Sequence, residues 1–351
     1  MITYVINKEN IPEKMKVYGL LPDFTRMPRE AASAVSPAVF DLSRCASGGR
    51  IRFRTDSRYI TIKVTLEKGA CNGATDVVAD GVYRGKVEGG EEDAVYGGTL
   101  LLTDEGHSAP GYRRMHDVTV FTTRTGFLNQ VEISLEDGSN VEEPTPYAIE
   151  KPIVFYGSSI TMGACSKSPS KAYTALVAER LNADHINLGF GGNAKGEKAM
   201  AEYIASLDMS AFVMDYEHNA DTLEDLLRTH KVFFETVRKA NPDLPILIVS
   251  RPDTGDDVFL RACFGRRIIL DTFHSALDAG DRKVDYVDGF YLRGNENQSA
   301  CCAEDGCHPN EYGFSVMADV IAPRLRALMN RDANMDMMGQ DGFDAIFPTH
   351  I

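Results

Sequence analysis

"NVEEPTPYAIEKPIVFYGSSITMG", residues 140–163, is where this chain changes rhythm. Its first half carries prolines at 144, 146 and 152 and little that could be buried, which is the composition of a linker. Its second half is a compact apolar run, Ile153 to Tyr156, ending at Gly157 and two serines. Before this stretch the apolar residues alternate: Ile51 and Phe53, Ile60 through Leu66 at every second position, Val118 and Val120, then Val131, Ile133 and Leu135. Period-two runs are half-buried strands. Turn signals separate them, with SGG at 47–49, NG at 72–73, DG at 80–81, GG at 89–90 and DG at 137–138. No helix is expected between about 35 and 137, and the region reads as an antiparallel β-sandwich or jelly roll.

After the stretch the pattern is different. "IVFYG", "HINLGF", "AFVMDY" and "PILIVS" are short apolar runs typical of strands buried on both faces. Helical patterns separate them, at 172–181, 199–207, 222–241, within 258–280 and within 311–329. Strand and helix in alternation predict an α/β domain with a parallel sheet between helices. The expected division is 1–148 for the sandwich, 149–331 for the α/β domain, and 332–351 for a tail without a period. A length of 351 residues fits two domains.

The formal net charge of −14 would repel phosphate backbones, so nucleic acid is not an expected partner. No run approaches the roughly 18 apolar residues of a membrane span, and no membrane partner is expected. Seven cysteines, an odd count without a secretory leader, predict reduced thiols and a cytoplasmic location. The Met- and Phe-bearing tail beside a fused sandwich is compatible with a homo-oligomer.

In open parallel sheets ligands bind beyond the carboxyl ends of the strands. Here those ends carry Gly157-Ser158-Ser159, Gly189-Phe190-Gly191-Gly192-Asn193, Glu217-His218-Asn219 and Ser250-Arg251-Pro252-Asp253. "EDGCHPNEYG", with Asp305 and His308, stands just before the last helix. These are the parts of an acyl-transfer site. A serine hydroxyl needs a base, an imidazole suits that task, and a carboxylate three residues away can hold the imidazole within one turn. The Gly192 N–H, the Asn219 amide and the Ser159 N–H are candidate donors to an oxyanion.

"GSSIT", "NLGFGGN", "EHN" and "DGCHP" resemble, in order, the four sequence blocks of the SGNH (GDSL-type) hydrolases over residues 151 to 330. That resemblance implies a flavodoxin-like domain in which Ser159 is the nucleophile, His308 the base and Asp305 its orienting partner. It also implies an oxyanion hole of Ser159, Gly192 and Asn219, with no metal and no cofactor. Ser158 stands where the family often has aspartate. Glu217 and Ala220 replace its usual glycine and aspartate, which alters the expected substrate rim. A sandwich preceding such a domain resembles the two-domain carbohydrate acetyl esterases, which implies an acetylated oligosaccharide from xylan or mannan as substrate. Other small-acyl esterases, lysophospholipases and a non-catalytic sugar-binding protein are the alternative readings.

Each residue also has a plainer reading. Paired serines after a strand commonly cap helices. His218 competes with His308 as a base. Cys301, Cys302 and Cys307 with His308 contain zinc-ligand types, although adjacent cysteines are awkward as paired ligands. Neither a G-x-G-x-x-G pattern nor a P-loop lysine accompanies Gly191-Gly192. Glu217 and Asp253 are expected at the rim, facing substrate hydroxyls or solvent. Arg251 is expected either to contact substrate or to sit in an ion pair.

Overall fold

The computed structural model describes residues 1–67, 73–90, 93–104, 113–252, 259–293 and 298–331. Cys71, Asp253, the NG turn's Asn72 and the tail at 332–351 therefore lie outside the described residues. Among the described residues, ten strands run up to Glu142: β1 (Ile2–Asn7), β2 (Lys16–Tyr18), β3 (Arg50–Thr55), β4 (Tyr59–Leu66), β5 (Ala74–Ala79), β6 (Val82–Glu88), β7 (Val95–Leu101), β8 (His116–Phe121), β9 (Leu128–Leu135) and β10 (Val141–Glu142). They form two antiparallel sheets, β1-β9-β4-β7 and β10-β3-β8-β5-β6, with β2 also pairing β3. The alternating residues meet between the sheets, where Phe53, Ile62, Val120 and Ile133 are fully or almost fully buried.

Two helices interrupt this β region, α1 (Arg29–Val35) and α2 (Pro37–Ser43), which corrects the expectation of no helix beyond residue 35. The local signal was present. Ser36 accepts from the Val39 N–H and Pro37 occupies the first helical position, a good helix start. Seven residues are too few to show a helical period, so tertiary packing decides. Met27, Ala32 and Val39 from this segment enter the core of the other domain beside Val154, Leu188 and Met200.

The α/β domain begins at β11 (Ile149–Gly157) and continues through α3 (Ser159–Met162), α4 (Tyr173–Leu181), β12 (Ala183–Gly189), α5 (Lys198–Ala205), β13 (Ala211–Asp215), α6 (Leu223–Ala240), β14 (Ile246–Val249), α7 (Phe259–Asp278), β15 (Val284–Val287), α8 (Gln298–Cys301) and α9 (Glu311–Met329). The sheet order is β12-β11-β13-β14-β15, all parallel. Successive side chains supply opposite cores. Val154, Tyr156, Phe212 and Met214 pack on one face, and Ile153, Phe155, Ala211 and Val213 on the other. A strand buried on both sides has no polar alternation to show, which is why these runs read as continuous apolar blocks. β15, "VDYV", was not expected. It is a four-residue edge strand, too short and too polar to stand out.

The proline-rich stretch is docked along the sandwich. β10 pairs with β3, and Thr145 donates to Asp117 through its N–H at 2.9 Å and its hydroxyl at 2.6 Å. The chain reverses its strand order beside β11, between β12 and β13. That switch point is where an open α/β sheet leaves a crevice.

Candidate active site

Ser158 and Ser159 have separate tasks. The Ser158 Oγ accepts from the Ile160 N–H at 3.1 Å and caps α3. Ser159 is the first residue of that helix, and its Oγ lies 2.7 Å from His308 Nε2. A side chain on Gly157 would place its Cβ 2.1 Å from Thr161 Oγ1 and 2.2 Å from the Asp215 carbonyl, so only glycine lets the strand turn so closely into α3.

On the turn before α9, His308 Nδ1 lies 2.6 Å from Asp305 Oδ2. The other carboxylate oxygen accepts from the Cys307 and His308 N–H groups, both at 2.9 Å. Partial burial pushes the Asp305 carboxyl up, but the His308 ring, these two N–H bonds and the charge of His308 outweigh it and hold it at about 2. An ionised Asp305 can only accept, so His308 Nδ1 carries the proton and donates it, which leaves Nε2 as the acceptor from Ser159. Asn310 caps α9, its side-chain oxygen accepting from the Gly313 N–H at 3.0 Å. Its amide also donates to the Ala300 and Cys302 carbonyls and anchors the turn.

Gly191 approaches Ser159 so closely that an added Cβ would lie 3.3 Å from the Ser159 Cβ. Gly192 follows with φ +72, in the left-handed region that favours glycine. Asn219 ends a 3₁₀ turn at Glu217–Asn219, and its Oδ1 accepts from the Ala194 N–H at 3.4 Å. That bond fixes the amide to the glycine loop and leaves its NH₂ as the branch available to another acceptor.

Glu217 and Arg251 are not at the rim, which corrects the expected contact with substrate. Glu217 is 3 % exposed and Arg251 6 %. The Glu217 Oε2 accepts from the Arg251 N–H at 2.7 Å, tying the end of β13 to the end of β14 below the turn that carries Asn219. Burial raises the Glu217 carboxyl to about 7, against the lowering effects of that bond and of Arg251, Arg266 and Arg261. Next to it Asp215 is fully buried and raised to about 7 by burial, opposed by Tyr173 and Thr161, which donate to its Oδ2 at 2.8 and 3.1 Å. Thr161 sits two residues after Ser159 in α3, so this network holds α3 from beneath.

His218 Nε2 reaches Cys307 Sγ at 3.2 Å, whereas the serine–imidazole–carboxylate series runs through His308. Cys301, Cys302 and Cys307 do not converge with His308. Among the described residues, the thiol, carboxylate and imidazole ligand atoms that gather within 4.8 Å belong to Cys165, Asp305 and His308.

Sequence reading missed Arg26. Its Nη1 donates to the Asn187 and Gly189 carbonyls at 2.9 and 2.6 Å, and its Nη2 to the Leu42 carbonyl at 2.6 Å. The guanidinium lies 4.6 Å from the centre of the Phe190 ring. It is 2 % exposed, and burial lowers its pKa only to about 10, so it stays charged at neutral pH. An arginine from the first domain thus holds the root of the glycine loop.

Residues 150–326 match the model of the GDSL-like lipase/acylhydrolase family, and residues 6–82 match the N-terminus of SGNH-hydrolase-type esterases. This chain belongs to the GDSL-like lipase/acylhydrolase family. It is a hydrolase of the SGNH esterase class, and its sandwich is the N-terminal module of such esterases. No curated protein matches it. Among solved structures it is similar to a protein of Bacteroides ovatus solved as a GDSL-like lipase, with a TM-score of 0.77 and 20% identity, over 94% of this chain and 98% of that one. A salicylyl-acyltransferase from a tetracycline biosynthetic pathway aligns with a TM-score of 0.73 and 20% identity, over 93% of this chain and 97% of that one. A family two carbohydrate esterase from Cellvibrio japonicus aligns with a TM-score of 0.60 and 16% identity, over 94% and 98%. Among the described residues no helix is long and apolar enough to cross a membrane.

Proposed function

We propose that the chain is a serine esterase that removes O-acetyl groups from oligosaccharides, with Ser159, His308 and Asp305 as its catalytic triad. The observation that carries this reading is the unbroken series Ser159 Oγ to His308 Nε2 at 2.7 Å and His308 Nδ1 to Asp305 Oδ2 at 2.6 Å. The Ser159 Oγ attacks the acetyl carbonyl as its proton passes to His308 Nε2, giving a tetrahedral oxyanion. The Ser159 and Gly192 N–H groups and the Asn219 amide stabilise that charge. His308 returns the proton to the departing sugar oxygen, and the C–O bond to the sugar breaks. Water, deprotonated by the same imidazole, then attacks the acyl-enzyme and releases acetate. Asp305 keeps the proton on Nδ1 and stabilises the imidazolium throughout. No metal is needed for any step.

The sugar assignment is supported by the two-domain plan shared with the Cellvibrio japonicus esterase over nearly the whole chain. The salicylyl-acyltransferase, aligned with a higher TM-score, favours a second reading in which an alcohol replaces water as acceptor. One assay tests both. Acetate release is measured from acetylated xylo-, manno- and cello-oligosaccharides beside 4-nitrophenyl acetate and butyrate, with and without added alcohols, and Ser159→Ala is the blank. The expected result is release from one sugar series, absent in the blank. Activity surviving in Ser159→Ala near its original rate overturns the triad, and cleavage of the nitrophenyl esters alone overturns the sugar assignment. Faster product formation on adding an alcohol selects the transferase reading.

A further inference from the structure

Away from the triad, a cleft of ≈ 200 Å³ separates the outer face of the β3-β8-β5 sheet from α4. Strand alternation builds one wall. While Ile51 and Phe53 point into the sandwich core, Arg50 and Arg52 share the opposite face with their cross-strand partners Phe121 and Thr119. The small residues Ala175 and Ala178 of α4 leave the space on the other side. The volume far exceeds the ~10–15 Å³ that one water requires.

The cleft is lined by donors that lack acceptors. Arg52 is 8 % exposed, and its Nη2 donates to the Thr145 carbonyl at 3.0 Å. Its Nη1 is buried with no hydrogen-bond partner, and its guanidinium lies 3.9 Å from the centre of the Tyr147 ring. Among the described residues no carboxylate forms an ion pair with it. His185, 1 % exposed, is the second case. Its Nε2 lies 3.1 Å from Arg50 Nη1, and an arginine can only donate, so the neutral ring carries its proton on Nδ1. Nδ1 is likewise buried without a partner. Lys171 adds a positive charge over the Tyr83 ring, at 5.1 Å from its centre.

Few nearby acids are left to answer these charges. Asp184 is hydrogen-bonded to Arg50 and attracts Arg52 only as its weakest charge contact, and Asp117 is held by Thr145 and by Arg54 at 3.8 Å. Asp76 is fully buried, and burial raises its carboxyl to about 7, so it is a poor counter-ion at neutral pH. Glu179 also lines the cleft, but burial pushes its carboxyl up and its attractions are to Lys171 and Arg180 rather than to Arg52. A desolvated guanidinium without a hydrogen-bonded counter-ion is costly, and an oxyanion supplies both a negative charge and the acceptor that Nη1 lacks.

We propose that this cleft binds a small oxyanion, a carboxylate or a phosphate, whose oxygens accept from Arg52 Nη1 and His185 Nδ1 while Lys171 supplies the second positive charge. The ligand bridges β3 of the sandwich to β12 and the turn before α4, and so clamps the two domains together. The site is independent of the ester-cleaving reading.

The test is thermal unfolding of the full chain at pH 7, titrated with inorganic phosphate and with succinate, each against sodium chloride at equal ionic strength. The expected result is a saturable rise of about 1–3 °C with at least one oxyanion. Arg52→Met should abolish the rise, and Lys171→Met should weaken the apparent affinity roughly tenfold. A response to phosphate alone assigns a phosphate ligand, and a response to succinate alone a carboxylate. No saturable response beyond chloride means the cleft holds only water and overturns the proposal, as does a wild-type response in both variants. If Arg52→Met fails to fold, Lys171→Met, half-buried at the cleft, decides by itself.

Discussion

Asp215 and Glu217 at the end of β13, and Asp305 on the turn before α9, are carboxylates of one catalytic neighbourhood in opposite physical states. Asp215 and Glu217 are buried, raised to about 7 by loss of water, and spent on holding protein groups. Asp305 keeps 44% of its side chain exposed and is held at about 2 by three hydrogen bonds that outweigh its partial burial. The floor needs carboxyls that pack and bond, and a proton there costs nothing. The turn needs a permanent negative charge, and solvent together with directed N–H donors maintains it. In the proposed mechanism the chemistry falls to the carboxylate that stays wet, and the dry ones fix the elements that carry Ser159 and Asn219.

The contrast breaks most severely at the turn. Asp305→Asn is expected to lower the turnover of an activated ester by about 10⁴-fold with little change in melting temperature, because the wrong tautomer of His308 is then favoured. Steady-state kinetics beside calorimetry would check it, and a loss of less than tenfold would remove Asp305 from the triad.

Asn219→Ala comes next, with a fall of about 10²–10³-fold in kcat and a smaller change in KM, as for one lost oxyanion donor. A KM effect alone would move Asn219 from the oxyanion hole to substrate binding. Arg26→Met should destabilise the chain by about 2–4 kcal/mol in urea unfolding, since three buried carbonyls lose their donor. Activity per folded molecule should fall as well, because the glycine loop loses its support. Unchanged kinetics in the folded fraction would confine Arg26 to stability.

The smallest effects are in the pH dependence. Asp215 and Glu217 have folded pKa values near 7, above the ordinary carboxyl values of 3.8 and 4.5. The folded chain therefore keeps protons that the unfolded chain releases, and this contribution is full below about 4 and is lost as pH rises through about 7. Asp305 has the opposite sign, contributing above about 4 and losing it as pH falls toward 2. Urea midpoints between pH 4.5 and 7.5 should fall with pH in the parent chain, and more shallowly in Asp215→Asn or Glu217→Gln. Glu217→Gln should leave KM for the oligosaccharide unchanged, and a rise in KM would return Glu217 to the rim.

Legibility in the sequence followed the range of the interaction. The alternating strands and the apolar blocks were readable because burial on one face or two leaves its period in a few residues. Ser36-Pro37 marked a helix start, but the seven-residue helix it opens owes its stability to packing in the other domain. Glu217 reads as exposed because a charged residue just beyond a strand end usually faces solvent, whereas Arg251 and Gly265, far along the chain, close over it. Arg26 was invisible because its acceptors lie 161 and 163 residues away.

By itself the sequence determined the local geometry: the i,i+3 placing of Asp305 and His308 on one turn, the capping serine before Ser159, and the order of the strand-end blocks. Tertiary structure alone decided that Ser159 Oγ meets a His308 nitrogen 149 residues away, that the first domain braces the glycine loop, and which carboxylates stay ionised. Short-range hydrogen bonding is written in neighbouring residues, whereas burial, and every pKa that depends on it, belongs to the packing of the whole chain.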